Sequence, residues 1–196
     1  MTGTNSYKAS NKVLKELGSK KVGVFVDDSN LYHAYKKYNW RVDLGKLKAL
    51  LETHSDLMFI NYHIGIPAKS DVNLKGTEDF LRKLQGIVIV KTKPMKYIRT
   101  AGKIVKKADV DVEIVLDVVR SIDKLDVVIV MVGDSDYLEL KNYVTRDKKK
   151  VILFMGYEES MAWELRQCWH LYLDEIKEKV VFENKQAPGK PGVALL

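Results

Sequence analysis

Short, unbroken apolar runs alternate along most of this chain with segments whose apolar residues recur every three or four positions. The first kind reads as strands buried on both faces, the second as helices with one buried stripe. Residues 22–26 form the first strand, and the polar Asp27 to Asn30 that ends it can cap a helix over residues 31–38. Leu44, Leu47, Leu50 and Leu51 mark a second helix. Residues 57–66 then form a second strand that stops at Pro67, and Phe80, Leu81 and Leu84 mark a helix over residues 77–84. A third strand covers residues 87–90. Val112, Val115, Leu116 and Val119 follow as a helix, then residues 127–132 as a strand, 137–144 as a helix, 151–155 as a fifth strand and 158–169 as a last helix. Strands alternating with helices predict a three-layer α/β/α sandwich around a mainly parallel central sheet of about five strands.

The same pattern sets limits. Residues 1–20 are polar and Lys-rich with a short helical stretch at Val13, Leu14 and Leu17, residues 21–183 read as a single domain, and residues 184–196 read as a flexible tail rich in turn formers. At 196 residues and 46% apolar content, one domain with a full core is expected. No apolar run reaches 18 residues and the first residues are polar, so neither a membrane span nor a secretory signal is expected and the location is expected to be cytoplasmic. Cys168 is the single cysteine, and His33, His54, His63 and His170 are scattered without ligand spacing, which argues against a disulfide or a zinc site.

The formal net charge of +7 suggests a phosphate-rich partner, and against that basic background three acidic clusters stand out. They are Asp27-Asp28-Ser29-Asn30, Asp109-Val110-Asp111 and Gly133-Asp134-Ser135-Asp136-Tyr137, each where an apolar element begins or ends. Parallel sheets bind ligands beyond the carboxyl ends of their strands, and oxygen-rich clusters suit Mg²⁺ or Mn²⁺. Phosphodiester hydrolysis at two ions set roughly 3.5–4 Å apart needs several carboxylates. Asp27, Asp111, Asp134 and Asp136 are the candidate ligands, with Asn30 placed to orient water or phosphate. A plainer reading is that these acids only cap helices, where a negative charge at an N-terminus is itself favourable.

Between residues 91 and 107 there are Lys91, Lys93, Lys96, Arg99, Lys103, Lys106 and Lys107, with Tyr97 and Gly102 and no acid. A loop of this composition, beside the carboxylates, suits a nucleic-acid backbone and its bases, with RNA as the leading candidate. The plainer alternative is a solvated hairpin. Trp163 and Trp169 read as core or dimer-contact residues, and a homodimer stays open on the Trp and Tyr content near the C-terminus.

Three motifs in order resemble the NYN domains of the PIN-like nuclease superfamily, particularly the LabA-like branch, over about residues 21–156. They are the apolar strand ending in Asp27-Asp28-Ser29-Asn30-Leu31, the helix opening from Lys107 to Val112, and Gly133-Asp134-Ser135-Asp136 followed by aromatic Tyr137. The resemblance implies a metal-dependent ribonuclease with Asp27, Asp111, Asp134 and Asp136 as ligands and Asn30 as an accessory catalytic residue. The candidate RNA contacts are Ser29, Lys93, Lys96, Arg99, Lys103, Lys107 and Ser135. Family spacing favours Asp111 over Asp109, while Asp117, about 600° around and roughly 9 Å further along an ideal helix, serves another role. The chain departs from the family at Asp28, usually a small residue, and at Val132, commonly Ser. Two other readings remain: a non-catalytic RNA-binding or regulatory module on the same fold, and a receiver-like signalling domain. The receiver reading requires an Asp at the end of the third strand, where this chain has Val90-Lys91-Thr92-Lys93.

Overall fold

Six parallel strands form the central sheet, in the order β3-β2-β1-β6-β7-β8. They are β1 (Lys21–Asp27), β2 (Asp56–Ile66), β3 (Ile89–Pro94), β6 (Val127–Met131), β7 (Val151–Gly156) and β8 (His170–Tyr172). A separate antiparallel hairpin, β4 (Lys96–Thr100) and β5 (Lys103–Lys107), leaves the sheet after β3. The computed structural model describes residues 3–100 and 102–183, with side chains from residue 10 onward, so the tail expected at residues 184–196 lies outside the described residues. Among the described residues no helix is long and apolar enough to cross a membrane.

Residues alternate across each strand, and the two faces build two cores. Val22, Val24, Val26, Ile60, Tyr62, Ile129 and Met131 face one way. They pack under α1 (Gly3–Leu17), α3 (Leu44–His54) and α8 (Lys177–Val180), whose Leu14, Leu17, Leu47, Leu51 and Val180 are buried there. The N-terminal helix is thus part of this layer. Phe25, Val128, Val130, Ile152 and Phe154 face the other way, against Ile114 and Val118 of α5 (Asp111–Ser121) and Leu140 of α6 (Leu138–Asn142). Helices α2 (Asp28–Tyr38) and α4 (Leu74–Leu84) complete the three layers.

The mainly parallel sheet expected with about five strands is present and gains a sixth, β8, which at three residues on an edge is too short to show a period. Three expectations need correction. The helix expected over residues 158–169 shrinks to a 3-10 turn, Glu158–Ser160, and a single α turn, α7 (Trp163–Arg166), before that strand. The helix expected over residues 137–144 is divided among a 3-10 turn (Ser135–Tyr137), α6 and a wider π turn (Tyr143–Asp147). The basic segment is a hairpin, not a loop, reversing at Gly102 with φ 76°, a left-handed conformation suited to glycine. β3 itself runs past its apolar stretch to Pro94, which an edge strand tolerates.

Candidate functional site

Asp27 is the last residue of the central strand β1 and the N-cap of α2, and is 2% exposed. Its Oδ1 accepts from Ser29 N (2.8 Å), Ser29 Oγ (2.8 Å) and Asn30 N (3.3 Å), and its Oδ2 accepts from Asn30 Nδ2 (2.7 Å). Capping is therefore part of what this carboxylate does. The Asn30 amide spans further: its Oδ1 accepts from Gly133 N at 3.0 Å, joining the end of β1 to the residues that follow β6. Asn30 is thus a structural bracket with both ends engaged. Ser29 is likewise turned inward onto Asp27.

Gly133 is required by close approach rather than by strain. A Cβ there would lie 2.5 Å from Ser160 O, and Gly133 O accepts from Ala162 N at 2.7 Å. Asp134 next caps the Ser135–Tyr137 turn by accepting from Asp136 N at 3.2 Å, while Asp134 and Asp136 stay exposed and Ser135 is half-buried. Tyr137 turns back under the turn, fully buried, and donates its hydroxyl to Asp111 Oδ1 at 2.6 Å. That hydroxyl is held well above its ordinary range, first by burial, then by Asp111 and by the charges of Asp27 and Asp134. Three acids from three separate clusters thus act on one phenol.

Asp111, the first residue of α5, is half-buried and its carboxyl is raised by burial, by its hydrogen bond with Asp109 and by the charges of Asp109 and Asp27, against the lowering effect of Tyr137. Asp109 is correspondingly lowered by its bonds with Asp111 and Lys107. Asp28, turned to the other face, receives the Tyr62 hydroxyl; burial pushes its carboxyl up to about 6, opposed by the Tyr62 bond and aided by Asp27. Neighbouring acids thus raise Asp28 and Asp111 at this edge, while Asp109 is paired with Lys107. Among the described residues, however, no three carboxylate or imidazole groups are close enough to hold one metal ion together. The donor chemistry suits a hard divalent cation, with Asp134 and Asp136 open to solvent and Asp27 already engaged in hydrogen bonds.

Asp117 points onto the sheet, as a partner of β2 rather than of Asp111. Its Oδ2 accepts from Asn61 Nδ2 at 2.8 Å and lies 3.1 Å from His63 Nε2, close but outside hydrogen-bond geometry. His63 pairs in register with Asp27 across β1 and β2, is buried, and has its imidazole lowered mainly by that burial against the opposing pull of Asp117. The signal for this buried polar layer was the alternation Phe59, Asn61, His63, Gly65, which puts two polar residues on an inward face.

The basic residues divide. Lys93 bonds Asp109 O and Glu113 (2.8 Å to Oε1), and Lys107 pairs with Asp109 at 2.9 Å, so both are tied to the start of α5. Lys106 pairs with Asp71 at 2.7 Å, and Tyr97 donates to Asp71 at 2.8 Å and accepts from Ala68 N at 2.7 Å, which anchors the hairpin to the segment after β2. Lys96, Arg99 and Lys103 have no ion pair among the described residues. Cross-strand pairing sets Lys96 opposite Lys107 and Thr100 opposite Lys103, so those lysines share a face, whereas Arg99 lies opposite Ile104 on the other. Trp169 packs against the first core; Trp163, expected in the core or at a dimer contact, is 70% exposed and so lies outside the core.

The model of the NYN domain matches residues 21–174. The chain is 23% identical over 171 residues to the low amplitude and bright protein LabA of Synechococcus elongatus, covering 86% of this chain and 90% of that one. In structure it is similar to a protein of unknown function from Vibrio parahaemolyticus, with a TM-score of 0.66 and 21% identity over 84% of this chain and 97% of the other. At that identity the likeness speaks for the fold.

Proposed function

The chain belongs to the NYN domain family, a nuclease-like family, and on that premise we propose that it is an endoribonuclease hydrolysing RNA phosphodiester bonds with Mg²⁺ or Mn²⁺. The observation that carries the reading is that the acidic clusters after the adjacent central strands β1 and β6 are tied by the bond from Gly133 N to Asn30 Oδ1, and that Asp111 at the start of α5 is joined to them through the Tyr137 hydroxyl. Asp134, Asp136, Asp111 and Asp27 are the side chains that would hold the cation once drawn together around it, since among the described residues no three such groups stand close enough to do so as they lie. The cation supplies charge neutralisation at the phosphate and lowers the pKa of the attacking water. Asn30 fixes Asp27 against the β6 end, Tyr137 fixes Asp111, and Lys96 and Lys103 hold the RNA backbone alongside.

Asp134→Asn is the fitting test, because Asp134 is exposed and its exchange leaves the buried bonds of Asp27 and Asn30 intact. The full chain is expected to cut a labelled RNA with Mn²⁺, to stop with a chelator, and to lose at least about a hundredfold in rate in Asp134→Asn with an unchanged circular-dichroism spectrum. Undiminished cleavage by that variant sinks the assignment. One observation favours a second reading, a non-catalytic RNA-binding module: Asp27 already accepts four hydrogen bonds. Metal-independent RNA affinity without cleavage across a broad RNA panel would decide for it.

A further inference from the structure

Trp163 has the placement of a substrate-contacting side chain. It opens α7, and at 70% it is the most exposed aromatic side chain among the large exposed apolar residues. Its backbone sits beside the acidic edge. Ala162 N donates to Gly133 O at 2.7 Å, which by standard bond lengths puts the Cα atoms of Trp163 and Asp134 within about 10 Å of each other. The turn carrying Asp134 to Tyr137 packs against α7.

The backbone under the indole is held at several points while the ring itself is free. Arg166 spends its guanidinium on Met161 O (2.9 Å) and Glu158 O (2.7 Å), and Leu165 anchors the turn in the second core. By contrast Tyr32, the other exposed aromatic near Asn30, has Lys36 over its ring at 5.4 Å and His33 and Tyr35 against it. Among the described residues neither a ring nor a cation lies over Trp163. An indole left open on a fixed support loses little freedom when a flat group stacks on it.

Charge then selects what that group is. Glu158, Glu159 and Glu164 around it are acidic and exposed and outnumber the one nearby cation, Arg166, whose guanidinium is turned onto Met161 O and Glu158 O, so a phosphate is disfavoured there. A neutral nucleobase is not. The hairpin carrying Lys96 and Lys103 is anchored to the segment after β2, whereas α7 packs on the turn after β6, and β2 and β6 lie on opposite sides of β1. A strand crossing that edge would lay its phosphates toward Lys96 and Lys103 and its bases toward α7.

We propose that the Trp163 indole is the platform on which an unpaired nucleobase stacks beside the phosphate at the acidic edge, so that the substrate class is single-stranded RNA. This rests on the nuclease reading above. Stacking of one base is worth roughly 1–3 kcal/mol, or about five- to a hundredfold in affinity, and does not depend on salt as phosphate contacts do.

The test uses the full chain with chelator present, titrated with an eight-residue oligouridylate and with the same length of abasic ribose-phosphate. Trp40 is buried and Trp169 half-buried, so quenching of tryptophan fluorescence reports chiefly on Trp163. Expected are quenching by the oligouridylate alone, a five- to hundredfold weaker affinity in Trp163→Leu with an unchanged salt slope, and substantial recovery in Trp163→Phe. If the wild-type chain binds and cleaves RNA while Trp163→Leu binds the oligouridylate equally well, the stacking proposal alone is overturned. If the wild-type chain neither binds nor cleaves RNA, the nuclease reading falls and this proposal with it.

Discussion

The acidic edge and the basic hairpin carry opposite charge, and they are also built on opposite physical terms. At the edge, Asp27 and Asn30 sit where two central parallel strands end, and each polar atom of their side chains is committed to a partner within 3.3 Å. The hairpin is two strands with no third, every residue of both strands is exposed, and its anchor is the covered Asp71 side chain, bonded by the exposed Lys106 and Tyr97. The difference separates two tasks. Groups that must be positioned are inside a low-dielectric network where a lost partner is costly, whereas groups that steer a polyanion work from the surface, where ion pairs contribute little to stability.

The strongest way to break the comparison is at Asn30. Asn30→Ala leaves Gly133 N and Asp27 Oδ2 without their partners in a buried setting, each costing about 1–3 kcal/mol. The expected loss is about 2–4 kcal/mol, or roughly 5–15 °C in Tm for a chain of this size. RNA cleavage would fall with it even at temperatures where the variant stays folded, because Asp27 is no longer fixed against the β6 end. A melting temperature within 1–2 °C of wild type would remove the bracket role.

pH sharpens the contrast because the two regions titrate with opposite sign. Asp28 is pushed up to about 6, mainly by burial, so the folded state binds more protons than the unfolded chain between about pH 4 and 6. Its contribution to stability is present below about pH 4 and is lost as pH rises through 6. A shift of that size corresponds to at most about 3 kcal/mol. Asp28→Asn keeps an acceptor for the Tyr62 hydroxyl and removes the titration, so at pH 7.5 with chelator it should melt higher than wild type, with the gap closing toward pH 4. Asp71 runs the other way: Lys106, Asn73 N and Tyr97 lower its carboxyl to about 2, so its anchor is intact above the usual carboxylate range and fails as pH falls toward 2. Melting curves of both variants, Asp28→Asn and Asp71→Asn, across pH 3–8 would show equal slopes if this opposition were false.

The same contrast explains what could be read before the structure. Strands buried on both faces, such as residues 22–26 and 127–132, announce themselves as unbroken apolar runs, and strand ends give away Asp27 and Asp134. β8 has only His170, Leu171 and Tyr172 and no period to read, and the hairpin strands mix charged and apolar residues without alternation or a buried face. Pair relations were the harder part. The Asn30 to Gly133 bond joins residues 103 apart and the Asn61 to Asp117 bond residues 56 apart, and no local pattern encodes either. Trp163 reads as a core or dimer-contact residue, and the core half of that reading fails because α7 is a single turn whose inward position is taken by Leu165.

The smallest effects on stability should come from the hairpin, and there the comparison becomes quantitative in salt rather than temperature. Lys96→Ala and Lys103→Ala remove charges that have no ion pair among the described residues, and in the first case relieve the like-charge opposition of Lys96 and Lys107. Their unfolding free energy should stay within about 0.5 kcal/mol of wild type. Each should nevertheless flatten the dependence of log affinity for single-stranded RNA on log salt by about 0.7, the value for one lost phosphate contact. Lys93→Ala should change that slope less, since its ammonium is already neutralised by Glu113 and held on Asp109 O, and should lower stability more. Arg99→Ala, on the other face, should leave the slope nearest to wild type. Equal slope changes at all four positions would mean that RNA meets a diffuse positive field rather than one face of the ribbon, and the division between positioned and steering groups would then hold for the acids alone.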